Sequence, residues 1–590
     1  MPPLDPGQYG NIVYTDMTLQ NCIELALRNS KVFRDLGGTL LRAPATVTGV
    51  FDPAAVFTDP QFSEEAALSA FDANLVANLL FQNNDRASNL TFQGDNGIFQ
   101  QDFHEYQIGI QKLAANGTFF ATRHRILYDN SNQTGQTLPH TWEAIFESEF
   151  RHPLLQGSGS LFNRIAGPST TPGVMSGVLI ARTNSEISLS DFQASVRDLI
   201  SEIENAYWDL HFSYRNLEAV TEGRDKAYEV YVAAQANERE GSQGLAQAKE
   251  QYLRLEAEVF DAMEGRPTSA TRNNNGTSGG VFQSVGGVRV AERRLRLMVG
   301  MPINGAELIK PIDEPITNGI EFDWQQSVGE ALSNRQELNR QRWIVKQREL
   351  ELLGSRDFLK PRLDLIGQYR FRGIGQSLTG GSNTFQNDQQ TGSRISNAYG
   401  DLAVGDFQEW QIGAEFSVPL GYRAAHLGVR NAELSLARER SVLREQKREI
   451  VFGLSNALGE LRRAFTAAEA AEQRYIAARE FQFVMSLEVE RGRDRDIELE
   501  AQRRVVEAEV QYRRAQVEYV LAIKNVHFEK GTYLDFCNVR LTESASNPLA
   551  ANDAADRSIH RGKQLSYVNT QPVIAAEKTT AETACGPGCE

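Results

Sequence analysis

The chain has 590 residues, a formal net charge of −15 at pH 7 and a mean hydropathy of −0.40. That acidic balance argues against nucleic acid as a partner, because phosphate binding needs a concentrated basic surface. Four cysteines, Cys22, Cys537, Cys585 and Cys589, are too few for a disulfide framework and lack the spacing of a zinc site.

No run of about 18 apolar residues occurs, so no transmembrane helix is expected. Any membrane span would be a closed β-barrel, the other structure that satisfies its own backbone hydrogen bonds in lipid. Residues 1–16 read as an N-terminal extension. Its start, Met1-Pro2-Pro3-Leu4-Asp5-Pro6, has neither a basic nor an apolar stretch, so no signal peptide is visible in it.

From residue 17 the chain carries one layout twice: an amphipathic helix, strand-like segments, then a long helical hairpin. The first repeat spans 17–310 and the second 324–540. Ala26-Leu27-Arg28-Asn29 opens the first as Ala331-Leu332-Ser333-Asn334 opens the second. Strands are expected over about 105–152, with a hairpin turn at Asn116-Gly117, a favoured turn pair. Within Trp142 to His152, the residues Trp142, Ala144, Phe146 and Phe150 oppose Glu143, Glu147, Glu149 and Arg151.

A helical hairpin follows over about 190–300, broken by a Gly/Asn/Ser-rich insertion at 265–287 that reads as a flexible loop. Its outgoing seam is Leu199, Ile203, Ala206, Leu210, Ser213, Leu217 and Val220, and Leu245, Ala248, Tyr252, Leu255, Val259 and Ala262 return.

The second repeat alternates in the same way over about 361–373 and 408–420. Leu363, Leu365, Tyr369 and Phe371 form one face of the first strand, and Trp410, Ile412 and Phe416 one face of the second. Gly373-Ile374-Gly375 followed by Gly380-Gly381 reads as the loop between them. A hairpin over about 423–534 has a seam through Ile450, Leu454, Ala457, Leu461, Ala464, Ala468, Ala471, Tyr475 and Ala478, answered by Ala501, Val505, Ala508, Tyr512, Ala515, Tyr519, Ala522 and Val526. The run from Arg423 to Val489 would extend on the order of 100 Å if unbroken. Residues 541–590 read as a disordered tail ending in Cys585 and Cys589.

The eight histidines have no metal-ligand spacing, no nucleophile elbow occurs, and the Gly-rich stretches match no phosphate-binding fingerprint. No enzyme, cofactor or metal is expected. Two readings stay open on the residues alone. One is a conduit built by several chains that pool strands, since about eight is the fewest that closes in a membrane; the other is a non-transporting cell-envelope coiled-coil scaffold with a soluble sheet.

Five pieces in order resemble the TolC-type outer-membrane efflux proteins over roughly residues 17 to 540. They are Met17-Thr18-Leu19 leading into Ala26-Leu27-Arg28-Asn29; Glu204-Asn205-Ala206-Tyr207-Trp208-Asp209-Leu210; Leu295-Arg296-Leu297-Met298-Val299-Gly300-Met301-Pro302; Pro361-Arg362-Leu363; and Phe416-Ser417-Val418-Pro419-Leu420. The resemblance implies a mainly α fold with a β-barrel portion: a homotrimer with a helical barrel in the periplasm and a shared twelve-stranded barrel in the outer membrane. It implies a passive exit duct for small molecules, metal ions or polypeptides, working with a periplasmic adaptor protein and an inner-membrane pump and facing lipid with Trp142, Phe146, Phe150, Leu363, Leu365, Tyr369, Phe371, Trp410, Ile412 and Phe416.

The family's helical tips, which form its closed end and adaptor contact, correspond here to Gly241 and to Gly492 with the residues after it. Threefold symmetry would multiply Asp494, Asp496, Glu498 and Glu500 into acidic rings that select cations. The opposing reading is a solvated helix end neutralised by Arg493 and Arg495. The resemblance also brings the regions of Cys22 and Cys537 together, which makes a disulfide between them a candidate beside two free thiols.

Overall fold

The computed structural model describes residues 13–34, 47–87, 97–136, 138, 140–168, 171–236, 242–265, 287–304, 307–380, 397–405, 407–491, 496–541 and 574–576. In chain order the first elements are β1 (Val13–Met17), α1 (Leu19–Asn29), α2 (Asp52–Phe57), α3 (Glu64–Ser69), β2 (Ala73–Ala87), β3 (Ile98–Leu113), β4 (Phe119–Ser131), β5 (Thr141–Pro153) and α4 (Ser160–Ala166). Next come α5 (Val178–Ala236), α6 (Ser242–Glu264), α7 (Gly287–Val299), β6 (Glu307–Pro311), α8 (Trp324–Asn334), α9 (Gln336–Asp357) and β7 (Arg362–Gly375). The last are α10 (Ala398–Val404), β8 (Phe407–Ser417), α11 (Arg423–Glu490), α12 (Asp496–Lys530), α13 (Tyr533–Phe536), β9 (Val539–Leu541) and β10 (Ile574–Ala576). They divide into two compact units: a helical one, residues 1–55, 186–342 and 442–590, and a sheet-bearing one, residues 56–185 and 343–441.

In the helical unit, α1 and α8 are equivalent down to their ends. Each is an 11-residue helix whose N-cap side chain, Thr18 or Asp323, accepts from the backbone N–H three residues on. Each ends where the cap N–H reaches the carbonyl of a fully buried alanine, Ala26 or Ala331. The hairpins finish alike too. After α7, Gly300 turns left-handed (φ 75°) while Met301 N–H reaches the Arg296 carbonyl; after α12, Gly531 does so (φ 73°) while Thr532 N–H reaches His527. This pair of closing bonds satisfies carbonyls that a helix end leaves open, and glycine takes the left-handed residue without a Cβ clash.

Alanine-rich seams pack as the heptads require. Ala457, Leu461 and Ala464 of α11 meet Tyr519, Ala522, Ile523 and Val526 of α12 in one buried cluster, and farther along Tyr475 stacks on Tyr512 at 5.8 Å. In the first hairpin Val230 and Ala234 of α5 pack on Ala248 of α6. The largest cluster joins Ile23 and Ala26 of α1, Ile200, Ile203 and Leu210 of α5, Val288 and Leu295 of α7, and Val517 and Leu521 of α12. Each such buried aliphatic side chain contributes roughly 1.5–3 kcal/mol. β1 and β6 pair in parallel, and Asp313 just beyond β6 accepts from Leu19 N–H at 2.7 Å and from the Tyr207 hydroxyl at 2.8 Å. That carboxylate ties the Met17-Thr18-Leu19 segment to the Tyr207 segment.

In the other unit, β2, β3, β4, β5, β7 and β8 form, in that order, one 6-stranded sheet with every neighbour antiparallel. The β3–β4 turn falls at Asn116-Gly117 as its chemistry dictates: Gly117 has φ 89°, and an added Cβ would meet the Gly157 carbonyl at 2.5 Å. Two expectations are corrected. First, β2 lies in a segment not assigned to a strand, and β3 starts earlier than expected, so the sheet of one chain has six strands. Second, Gly373 and Gly375 lie within β7, not in a loop. The backbone of α10 packs directly on them, and an added Cβ at either would meet Ala398 atoms at 2.2 or 2.6 Å. The insertion between Gly265 and Gly287, and Cys585 and Cys589 of the tail, lie outside the described residues.

Candidate membrane-spanning sheet

Cross-strand register decides which side chains share a face, because successive residues of a strand point to opposite sides. Phe146 pairs with Phe371, Phe150 with Gly367 and Gly367 with Ile412, Tyr369 with Trp410, and Leu363 with Phe416. All ten residues expected to face outward therefore lie on one side: Trp142, Phe146 and Phe150 of β5, Leu363, Leu365, Tyr369 and Phe371 of β7, and Trp410, Ile412 and Phe416 of β8. Outside the patch beneath α10 the face is bare in the single chain, with Trp410 71% and Ile412 70% exposed. It continues across the first strands through Leu75, Leu79 and Phe81 of β2, Ile108 and Ile110 of β3, and Phe120 and Ile126 of β4.

Aromatic rings band this face. Phe81, His104, Tyr128 and Trp142 occupy one row on four adjacent strands, with successive centroids 5.0, 5.2 and 4.8 Å apart. Nearer the strands' other ends, the Phe150 ring lies over Gly367, where any Cβ would be 2.2 Å from a ring carbon.

The opposite face is charged and cross-linked. Glu105 on β3 bonds Arg125 on β4 at 2.8 Å, and Arg123 on β4 bonds Glu147 on β5 at 2.8 Å. Glu147 also holds Arg370 on β7 at 2.7 Å, and Arg370 reaches Glu409 on β8 at 3.2 Å. Arg151 joins Glu415 at 3.2 Å lower on the same face. The chain Arg123–Glu147–Arg370–Glu409 thus crosses four strands with alternating sign. Sequence reading found its carboxylates on β5 but not Glu105, Arg123 and Arg125; the pairs are visible only once register is known. A sheet face of this kind is matched to water, and the bare apolar one to a nonpolar medium.

At the tip, Gly241, Gly492, Asp494 and the Asp496 side chain lie outside what is described. Glu498 is half-buried, and Glu500 is exposed and accepts from Arg504 Nε at 3.2 Å. The candidate disulfide is not formed: Cys22 and Cys537 are free thiols. Both sit in the largest helical core cluster, and burial pushes each thiol up to about 12, with Asp313 adding to the rise at Cys22 and Glu204 at Cys537. A thiol so far from ionising is a packing group and a poor nucleophile.

No family model and no curated protein matches the sequence. Solved structures do match in fold. The CmeC outer membrane channel of Campylobacter jejuni is 13% identical with a TM-score of 0.53, covering 91% of this chain and 89% of its own. The chain has the fold of a TolC-type outer-membrane channel. The open-state MtrE outer membrane channel of Neisseria gonorrhoeae is 13% identical, with a TM-score of 0.52 and coverage of 88% and 89%. The outer membrane protein VceC of Vibrio cholerae is 14% identical, with a TM-score of 0.51 and coverage of 87% and 96%. The TolC-type fold accounts for the pairing of long helical hairpins with a two-faced sheet in one chain.

Proposed function

We propose that this chain is a passive exit duct of the outer membrane, with no catalytic activity. Three copies pool their sheets into one barrel whose apolar face meets lipid and whose charged face lines water. The helical hairpins extend into the periplasm, where their tips, around Gly241 and Gly492, engage a periplasmic adaptor, and an inner-membrane pump supplies the energy. The cargo is small molecules, metal ions or polypeptides passed on by those partners. At the tip, Asp494, Asp496, Glu498 and Glu500 are repeated by symmetry and bias the constriction toward cations.

The observation that carries this reading is the sheet's two-sidedness: one face apolar and banded with aromatics, the other an ion-pair ladder. A scaffold sheet would bury the apolar face against protein, and among the described residues only the short α10, over Gly373 and Gly375, is seen packed on it. The test is the oligomeric mass of detergent-purified protein together with its single-channel conductance in a planar bilayer. A trimer with a stable, cation-preferring conductance is expected. A monomer or dimer that never conducts would reject the duct.

A further inference from the structure

The strand count has a structural consequence for the barrel. Three copies of a 6-stranded sheet supply eighteen strands. We propose that β2 and β8 are the two edges by which copies of this chain join, so that the β2–β3 hairpin is part of the wall and the barrel closes with eighteen strands. The inference rests on the duct reading above and specifies its partner surface, which is a second copy of this chain.

The hairpin belongs to the sheet by its hydrogen bonds. Residues Ala73 to Ala87 pair without a break with Lys112 to Ile98, and β3 pairs with β4 from Gln101 to Leu113. It also belongs by its faces. Leu75 and Leu79, each 68% exposed, and Phe81, 61% exposed, lie on the same side as Ile412 and Trp410. The aromatic row that ends at Trp142 begins at Phe81 on the outermost strand. A hairpin standing clear of the wall would have no cause to continue that row.

The edges suit each other. Among the described residues β2 pairs only with β3 and β8 only with β7, so each presents one free row of backbone donors and acceptors. Such rows cannot remain open in hydrocarbon. With an even number of alternating strands, β2 and β8 run in opposite directions, so β8 of one copy meets β2 of the next as an antiparallel neighbour. Their water-side residues bring no like charges together: Asn74, Asn78 and Gln82, alternating with Val76 and Leu80 on β2, offer amide donors, while β8 offers Glu409, Gln411 and Glu415. Since barrel diameter grows roughly linearly with strand number, the wall would be about 1.5 times as wide as one of twelve strands, in the range that leaves an aqueous channel.

Cysteine cross-linking between copies tests this. In a Cys585→Ser, Cys589→Ser background, Asn74→Cys, Asn78→Cys or Gln82→Cys is combined with Gln411→Cys or Glu415→Cys, and the full-length protein is oxidised in membranes. As the competing arrangement, Ala121→Cys or Leu127→Cys on β4 is combined with the same β8 cysteines, because β4 would be the edge of a twelve-stranded barrel. Covalent dimers and trimers are expected from β2–β8 combinations, absent from the single variants and from the β4–β8 combinations. A trimer that links through β4 and β8, or that links in no β2–β8 combination, overturns the eighteen-stranded closure and leaves the duct standing. A chain that is monomeric before oxidation overturns both. A variant lacking residues 73–113 adds a second readout: it is expected to lose the trimer, whereas a stable trimer without the hairpin would refute its place in the wall.

Discussion

The Tyr533 hydroxyl donates a 2.6 Å hydrogen bond to Oε2 of Glu204, joining the short helix after the second hairpin to the first long helix. Both side chains are buried, and Lys524 Nζ nearby donates to Asn205 Oδ1 at 2.5 Å and to Ser201 Oγ at 3.1 Å. Burial raises the Glu204 carboxyl above its ordinary range and lowers the Lys524 ammonium below its own. Replacing Tyr533 with Phe leaves a buried carboxylate oxygen without its donor, which costs about 1–3 kcal/mol. The expected result for Tyr533→Phe is a lower thermal midpoint of the detergent-solubilised protein. An unchanged midpoint would mean that water replaces the hydroxyl.

Two buried groups two residues apart on α5 push the pH dependence in opposite directions. Burial lowers the His211 imidazole to about 4 and raises the Asp209 carboxyl to about 7. A lowered histidine contributes stability that is present above its unfolded value of 6.5 and is lost as pH falls toward 4. A raised carboxyl contributes stability that is present below 3.8 and is lost as pH rises through about 7. Asp209→Asn is therefore expected to gain about 1–3 kcal/mol relative to the parent at pH 8 and to lose that advantage near pH 4. Melting curves at the two pH values check it; an advantage that does not depend on pH would point to packing instead.

Much of the architecture was legible because two periodicities are clean. The seam from Ile450 to Ala464 steps by four and three, and the strand from Leu363 to Phe371 alternates, so each names its own element. β2 was not legible for a physical reason. Leu75, Val76, Leu79 and Leu80 recur at helical spacing, and in the sheet they divide between the two faces, with Leu75 and Leu79 opposite Ile110 and Tyr106 and Val76 and Leu80 opposite Gly109 and Glu105. Gly373 and Gly375 misled as a loop signal because the partner that requires them, α10, comes from a distant segment. The outward residues of β5, β7 and β8 could be named one strand at a time, whereas the ion-pair ladder needed register, which local sequence does not encode.

Gly367 shows the cost of filling a position that an aromatic ring already occupies. The Phe150 ring lies within van der Waals reach of its Cα, and a methyl group there would overlap two ring carbons at 2.2 and 2.5 Å. The ring would have to leave its place or the β5–β7 ladder would have to shift, a penalty of about 1–3 kcal/mol. Gly367→Ala is expected to reduce the heat-resistant oligomer seen on electrophoresis, and Gly367→Ala with Phe150→Leu to restore part of it. No rescue by the second change would place the strain elsewhere.

Glu147 is the hinge of the charge ladder, since its two oxygens hold Arg123 on one neighbouring strand and Arg370 on the other. Its side chain is only 4% exposed in the single chain, and each guanidinium has one further carboxylate, Glu149 at 3.0 Å from Arg123 and Glu409 at 3.2 Å from Arg370. Glu147→Gln removes one negative charge per copy from the charged face and leaves Arg123 with Glu149 and Arg370 with Glu409 as their remaining carboxylate partners. In the duct, that shifts the reversal potential under a salt gradient toward anions. Arg123→Gln removes a positive charge from the same ladder and should shift the potential the other way, toward cations. Opposite shifts from the two variants would place the ladder on the conducting surface. Equal conductance and selectivity in both would mean that ions do not pass this face.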